Sequence, residues 1–175
     1  MCSERQTLDW RSDVPRDEHG TMRVHIPVQR RWGDQDALGH INNVSLLKIL
    51  EEARLRAFWR EGDAGDSPVA VFDGDTVSTG GRFATLIARQ EIEYLLPVPY
   101  GRDPLDVQLW IGRLGGSTAE ICYEVMSPDS AVLYARATTV VVLVDTATGR
   151  PTRLPKDIRA AWEPYVEDPI AYRKR

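Results

Sequence analysis

Apolar residues recur at two different periods along this chain, and the change of period divides it. From Asn43 to Arg60 the spacing is helical: Leu46, Leu50, Ala53 and Ala57 stand at i, i+4, i+7 and i+11, with Leu47, Arg54 and Phe58 alongside. Val44, Ile49, Leu55 and Trp59 widen that stripe beyond what a surface helix carries, so the helix is expected to be wrapped over much of its girth. Glu52 and Arg56, at i and i+4, mark the strip left to solvent. From Ala84 onward the chain reads as strand, in the segments FATLIARQEIEYLLPV, PLDVQLWIGRL, TAEICYEVM and VLYARATTVVVLVD. In the third segment Ala119, Ile121, Tyr123 and Val125 alternate with Thr118, Glu120, Cys122 and Glu124, which predicts one dry face and one wetter one. Ala137 to Val144 is apolar on both faces, as expected of a central strand covered by the helix on one side and by a partner subunit on the other.

The punctuation between segments completes the outline. Gly115-Gly116-Ser117 and Ser127-Pro128-Asp129 are turn sequences, and Pro97 to Pro104 separates the first two late strands; links this short predict an antiparallel meander. Met22 to Trp32 alternates loosely and reads as a first strand. Gly62 to Arg82 is rich in Gly, Asp and Ser and is interrupted only by VAVF at Val69 to Phe72, the profile of a functional loop such as a lid over a pocket. The reading is one domain over 22-155, with an N-terminal extension over 1-21 and a C-terminal tail over 156-175 that carries a short helix on Ile158, Ala161, Trp162 and Tyr165.

Composition narrows the function. At 175 residues and 42% hydrophobic content the chain can bury a real core, and its net charge of -4 argues against nucleic acid or an anionic membrane as the main partner. No apolar run approaches the roughly 20 residues of a membrane helix, and the charged start MCSERQTLDWRSD lacks a signal-peptide core, so a cytoplasmic protein is expected. Cys2 and Cys122 make neither a disulfide framework nor a metal knuckle; reduced thiols and no metal are expected.

Chemistry concentrates in RWGDQDALGHINNVSLLKILEEAR, Arg31 to Arg54. Two carboxylates, Asp34 and Asp36, precede Gly39 and His40, and Asn42 and Asn43 are N-cap candidates for the helix. The first amides of a helix have no internal acceptor and sit at its positive end, so an oxygen gaining negative charge is favoured there. An acid beside such a site is a hydrolase arrangement. Each residue also has a duller role: the aspartates can cap the turn or pair with Arg30 or Arg31, and His40 can hydrogen-bond backbone rather than act as a base or ligand. Glu51 and Glu52 fit ion pairs with Arg54 and Arg56 better than acid catalysis, and Trp32 and Tyr94 read as core or interface.

The order strand, acidic turn, long helix, strands is that of the α+β hotdog fold, an antiparallel sheet wrapped around one long central helix. The segment also resembles the D-x-D-x-x-G-H-x-N-N...E-E-A-R run of acyl-CoA thioesterases of the 4-hydroxybenzoyl-CoA thioesterase type, and EIEYLLPV and GRLGGSTAEICYEV are similar to that family's second and fourth strands. The resemblance implies hydrolysis of an acyl-CoA without cofactor. It makes Asp36 the catalytic carboxylate and the backbone N-H of Asn43 the group polarising the carbonyl, with Gly39, His40 and Asn42 also at the substrate. It implies a homodimer or a dimer of dimers with coenzyme A across the subunit boundary. Where some members carry a basic cluster before the fourth strand this chain has Arg113-Leu114-Gly115-Gly116, which leaves Arg82, Arg89, Arg102 and Lys156 as candidates for the phosphates. Two rivals remain: a hotdog dehydratase or hydratase, which needs a histidine paired with an acid that neither His25 nor His40 shows in sequence, and a non-catalytic acyl-CoA-binding module.

Overall fold

The computed structural model of the protein describes residues 22–60, 67–73 and 82–173. Strand β1 (Val24–Val28) is followed by a single 3-10 turn (Trp32–Asp34) and by helix α1 (Asn43–Phe58). The first strand is shorter than its alternation suggested, because its pairing partner begins at Leu105, opposite Val28, and leaves the residues beyond without a ladder. At the other end of α1, Trp59 goes extended and β2 (Trp59–Arg60) pairs in parallel with β3 (Phe72–Asp73). Then come β4 (Phe83–Tyr94), β5 (Leu105–Leu114), β6 (Thr118–Met126), β7 (Leu133–Asp145), helix α2 (Lys156–Trp162) and a closing 3-10 turn, Glu163–Tyr165.

Helix α1 starts where it does because Asn42 is extended and its Oδ1 accepts the Val44 amide at 2.8 Å, satisfying one of the orphan donors. Leu46, Ile49, Leu50, Ala53, Ala57 and Phe58 are buried, as the periodicity requires. The wrapping is narrower than expected, since Val44 and Leu55 stay exposed. Facing the helix, β6 presents Ala119, Ile121, Tyr123 and Val125 and β7 presents Ala135, Ala137, Thr139, Val141 and Leu143, all buried.

The sheet is open and antiparallel in the order β1-β5-β6-β7-β4, with α1 packed on one face, which is the hotdog arrangement. Only β5, β6 and β7 form a meander. The four-strand meander expected from the short links is corrected: β4 pairs with β7, at the far edge from β5. The connection 95–104 therefore crosses the end of the sheet, a span of about 14 Å for three strand spacings, well within the roughly 35 Å such a loop reaches when extended. On its way it meets the start of α1, where the Ile41 amide donates to the Val98 carbonyl at 2.9 Å.

On its second face β7 carries Arg136, Thr138, Val140 and Val142, with Arg136 3.9 Å from Glu124 of β6, and the cover over part of that face comes from the chain itself. Residues 166–173 run across the sheet: the Glu167 amide donates to the Ile111 carbonyl, Trp110 Nε1 donates to the Asp168 carbonyl at 3.1 Å, and the Tyr172 hydroxyl bonds Thr138 Oγ1 at 2.7 Å. Arg23 holds the strap through Glu167, with Glu124 and the Trp110 ring, 4.0 Å away, completing its surroundings. The segment read as a tail also enters the core. Trp162 is 1% exposed, its ring edge-on to Phe58 at 5.1 Å and to Phe72 at 6.0 Å, and its Nε1 donates to the Val69 carbonyl at 2.9 Å. The lid expected over 62–82 falls largely outside the described residues. Its described part, 67–73, buries Val69, Ala70 and Phe72 at the C-terminal end of α1, the end away from the candidate chemistry.

Candidate site at the start of the central helix

Residues 31 to 42 fold into a small ladder that ends in the helix cap. Asp34 Oδ2 accepts the Arg31 amide at 2.7 Å, so Asp34 closes the 3-10 turn, the structural role expected of it. The Asn42 amide donates to the Asp34 carbonyl at 2.7 Å, Gln35 and Ile41 form an antiparallel bridge, and the Asp36 amide donates to the His40 carbonyl at 2.9 Å. Gly39 makes the return possible with φ +79°, a conformation costly for any residue with a Cβ, and its amide donates to the Asp36 carbonyl. Asp36 and the start of α1 thus hang from one hydrogen-bonded loop; Asp36 is two residues from Asp34, at most about 7 Å of chain.

The Asp36 carboxylate is half-buried and bound on one oxygen only. Oδ1 accepts the amides of Leu38 (2.8 Å) and His40 (3.3 Å), while Oδ2 has no partner among the described residues. Neither aspartate pairs with an arginine side chain among the described residues; Arg31 is exposed, and Arg30 is buried and donates Nη1 to the Pro99 carbonyl at 2.7 Å and Nη2 to the Asp103 carbonyl at 2.5 Å. His40 meets the turn through its backbone alone, as its N-H and C=O bond Asp36 and it bridges to Pro99.

At the helix start the Leu46 amide is the first to find a main-chain acceptor, Asn42. Val44 N-H is taken by the side chains of Asn42 and Asn43, at 2.8 and 3.0 Å. This leaves the amides of Asn43 and Ser45 without an acceptor among the described residues. The family resemblance implies Asn43 and not Ser45, although the rule that the first turn lacks acceptors covers both equally.

The other candidates divide. Glu51 and Glu52 lie 3.7 and 4.0 Å from Arg54 and Arg56 as helix ion pairs, away from the turn. Arg54 is nonetheless buried, with Nη1 unbonded beneath the sheet. Trp32 and Tyr94, read as core or interface, are 75% and 48% exposed in the single chain, so neither belongs to its core. His25 does have an acid, Asp106 at 2.9 Å, a pairing invisible in sequence because it joins two strands. Burial alone would raise the Asp106 carboxyl, but hydrogen bonds from His25, Gln108 and Ser130 outweigh it and hold it below the usual carboxylate range. The pair sits on the sheet face opposite α1, remote from the open amides. Among the described residues no group of three His, Cys, Asp or Glu side chains is placed to hold a metal ion.

The sequence profile of the thioesterase-like superfamily matches residues 30–162. No curated protein matches. Among solved structures, a predicted thioesterase from Bacillus stearothermophilus is 26% identical, with 84% of this chain and 98% of that one covered and a TM-score of 0.66. A thioesterase from Thermus thermophilus complexed with coenzyme A and Zn is 30% identical over 81% of this chain and 91% of that one, with a TM-score of 0.60. A 1,4-dihydroxy-2-naphthoyl-CoA thioesterase from Synechocystis, at 23% identity, 79% and 93% coverage and a TM-score of 0.61, speaks for the fold alone.

Proposed function

The chain belongs to the thioesterase-like superfamily, and from that premise we propose that it hydrolyses an acyl-CoA to the free acid and coenzyme A, with Asp36 as the catalytic carboxylate. One observation carries the residue assignment: a carboxylate with one oxygen unbonded and two helix amides without acceptors, among the described residues, hang from the same short ladder. Coenzyme A as the carrier is supported by the Thermus thermophilus relative that holds it.

The chemistry asks little more of the protein. The leaving thiolate has a conjugate acid near that of a cysteine, about 8.5, so its departure needs little help from a general acid. The tetrahedral oxyanion is met by the amides of Asn43 and Ser45, and a donor of that kind is worth roughly 2.7 to 4 kcal/mol. Asp36 Oδ2 either attacks the carbonyl to give an anhydride or takes a proton from the attacking water. Gly39, His40 and Asn42 contribute by shape and backbone: Gly39 and His40 hold the carboxylate through the turn, and Asn42 removes the Val44 amide from competition.

A homodimer through β4 completes this reading. Among the described residues that strand is a long edge whose outer side is unpaired, with Leu86 at 56%, Ile87 at 46% and Tyr94 at 48% exposure, and such an edge is a template for a second copy. No helix among the described residues is long and apolar enough to cross a membrane.

The test is a panel of acyl-CoAs with thiol release followed for the parent, Asp36→Ala and Asp36→Asn. Asparagine keeps an oxygen for the Leu38 and His40 amides while removing the charge, so its loss separates chemistry from folding. Turnover is expected to fall at least about 100-fold in both, with far-UV circular dichroism unchanged. Full activity in Asp36→Asn removes the proposed role, and acyl-CoA binding without thiol release in the parent favours the binding-module reading.

A further inference from the structure

Next to the candidate site lies a surface that the hydrolytic reading does not use. Trp32, in the 3-10 turn before Asp36, is 75% exposed and stands edge-to-face with Tyr100, 41% exposed, their centroids 5.8 Å apart and their planes at 86°. Arg31 and Arg102 flank the pair in the chain, are exposed, and have no carboxylate partner among the described residues. Among the other arginines Arg89 pairs with Glu91 at 2.7 Å, Arg82 lies over the Phe83 ring and Arg173 is near Glu93, while Arg113, Arg150 and Arg153 are exposed like Arg31 and Arg102 but have no exposed aromatic pair beside them among the described residues.

We propose that the Trp32–Tyr100 pair, with the guanidinium groups of Arg31 and Arg102 beside it, docks the adenosine and phosphate end of coenzyme A. The assignment rests on the thioesterase reading and extends it. A flat base has a π-face for an exposed indole, and phosphates have the charge and acceptors for two guanidinium groups that no carboxylate among the described residues holds. An acyl group or a hydrocarbon surface has no use for the charges. The platform is also built rather than incidental. Buried Arg30 ties the loop at Pro99 and Asp103, and Gly101 sits against its guanidinium so closely that a Cβ there would come 2.5 Å from Nη2. The same loop is stitched to the site, because Pro99 bridges His40 and Val98 accepts the Ile41 amide. Pre-ordering of this kind lowers the entropy lost on binding. Trp32 is four residues from Asp36, at most about 14 Å of chain, a separation the flexible pantetheine arm can bridge.

The experiment compares one acyl-CoA with the matching acyl-pantetheine thioester, which lacks the nucleotide, in the parent, Trp32→Ala and Arg31→Ala/Arg102→Ala. The ratio of kcat/KM for acyl-CoA over acyl-pantetheine is expected to fall about tenfold in the double variant and about fivefold or more in Trp32→Ala, through KM rather than kcat. Adenosine 3′,5′-bisphosphate, titrated by calorimetry into the parent and the double variant, is expected to bind the parent more tightly by a similar factor. An unchanged ratio overturns the proposal. So does an equal loss on both thioesters, or a shift of the double variant to a smaller species on gel filtration, which would make the patch an interface between copies. If the parent hydrolyses neither thioester, the thioesterase reading fails, and the bisphosphate titration alone then decides the subsite.

Discussion

Replacing Trp162 by alanine tests whether the segment after Lys156 is part of the folding unit. The indole is 1% exposed, contacts the rings of Phe58 and Phe72 edge-on, and donates to the Val69 carbonyl. Truncating a buried tryptophan to alanine costs about 3–5 kcal/mol through lost transfer energy and the cavity left behind. Within that range the two ring pairs account for about 0.5–1.5 kcal/mol each, and a Val69 carbonyl left without its donor for about 1–3 kcal/mol. Trp162→Phe keeps an aromatic ring and loses the N-H, so about 1–2 kcal/mol is expected for it. Against a typical total of about 5–15 kcal/mol, the alanine variant loses roughly a fifth or more of its stability. Urea unfolding followed by far-UV circular dichroism, at one fixed protein concentration, measures this. With a slope of about 2 kcal/mol per molar the alanine midpoint should fall by about 1.5–2.5 M and the phenylalanine midpoint by less than half of that. An alanine variant within about 1 kcal/mol of the parent would refute the reasoning, because the helix would then be an appendage that the core does not feel.

Two more expectations follow from the sheet's outer face. A carboxyl held below its unfolded value adds stability above the unfolded pKa, about 3.9, and loses it as pH falls through the lower folded value; Asp106→Asn should therefore cost about 1–2 kcal/mol at pH 7 and progressively less below pH 4, and a cost independent of pH in urea titrations counts against a carboxylate held ionised by its hydrogen bonds. Burial pushes the Cys122 thiol up, with Ile170 of the strap against it; ending the chain after Tyr165 should raise its rate with Ellman's reagent at least about tenfold, and an unchanged rate would show that the strap does not shield it.

What could be read along the chain is what short-range periodicity carries. The helix and its buried stripe follow from side chains repeating every 3.6 residues, and β6 appears between its expected ends because Ala119 to Val125 alternate strictly between turn residues. The Asn42 cap and the left-handed Gly39 belong to the same class, since each is decided within a few bonds of its own backbone. Strand pairing was not legible: alternation tells which face a residue takes but not which strand lies beside it, so β4 could be placed against β5 or β7 until the whole sheet was assembled. Exposure behaved in the same way. Trp32 is apolar yet open, and Arg54 is charged yet buried, because the turn carries one outward while the other projects from α1 toward Tyr123. His25 with Asp106, Arg30 beneath Gly101, and the strap across Trp110 and Thr138 join residues far apart in the chain. Local propensity is encoded in neighbouring residues and can be read from them, whereas the partner of an edge, a charge or a bare ring is settled only when distant segments compete for the same space.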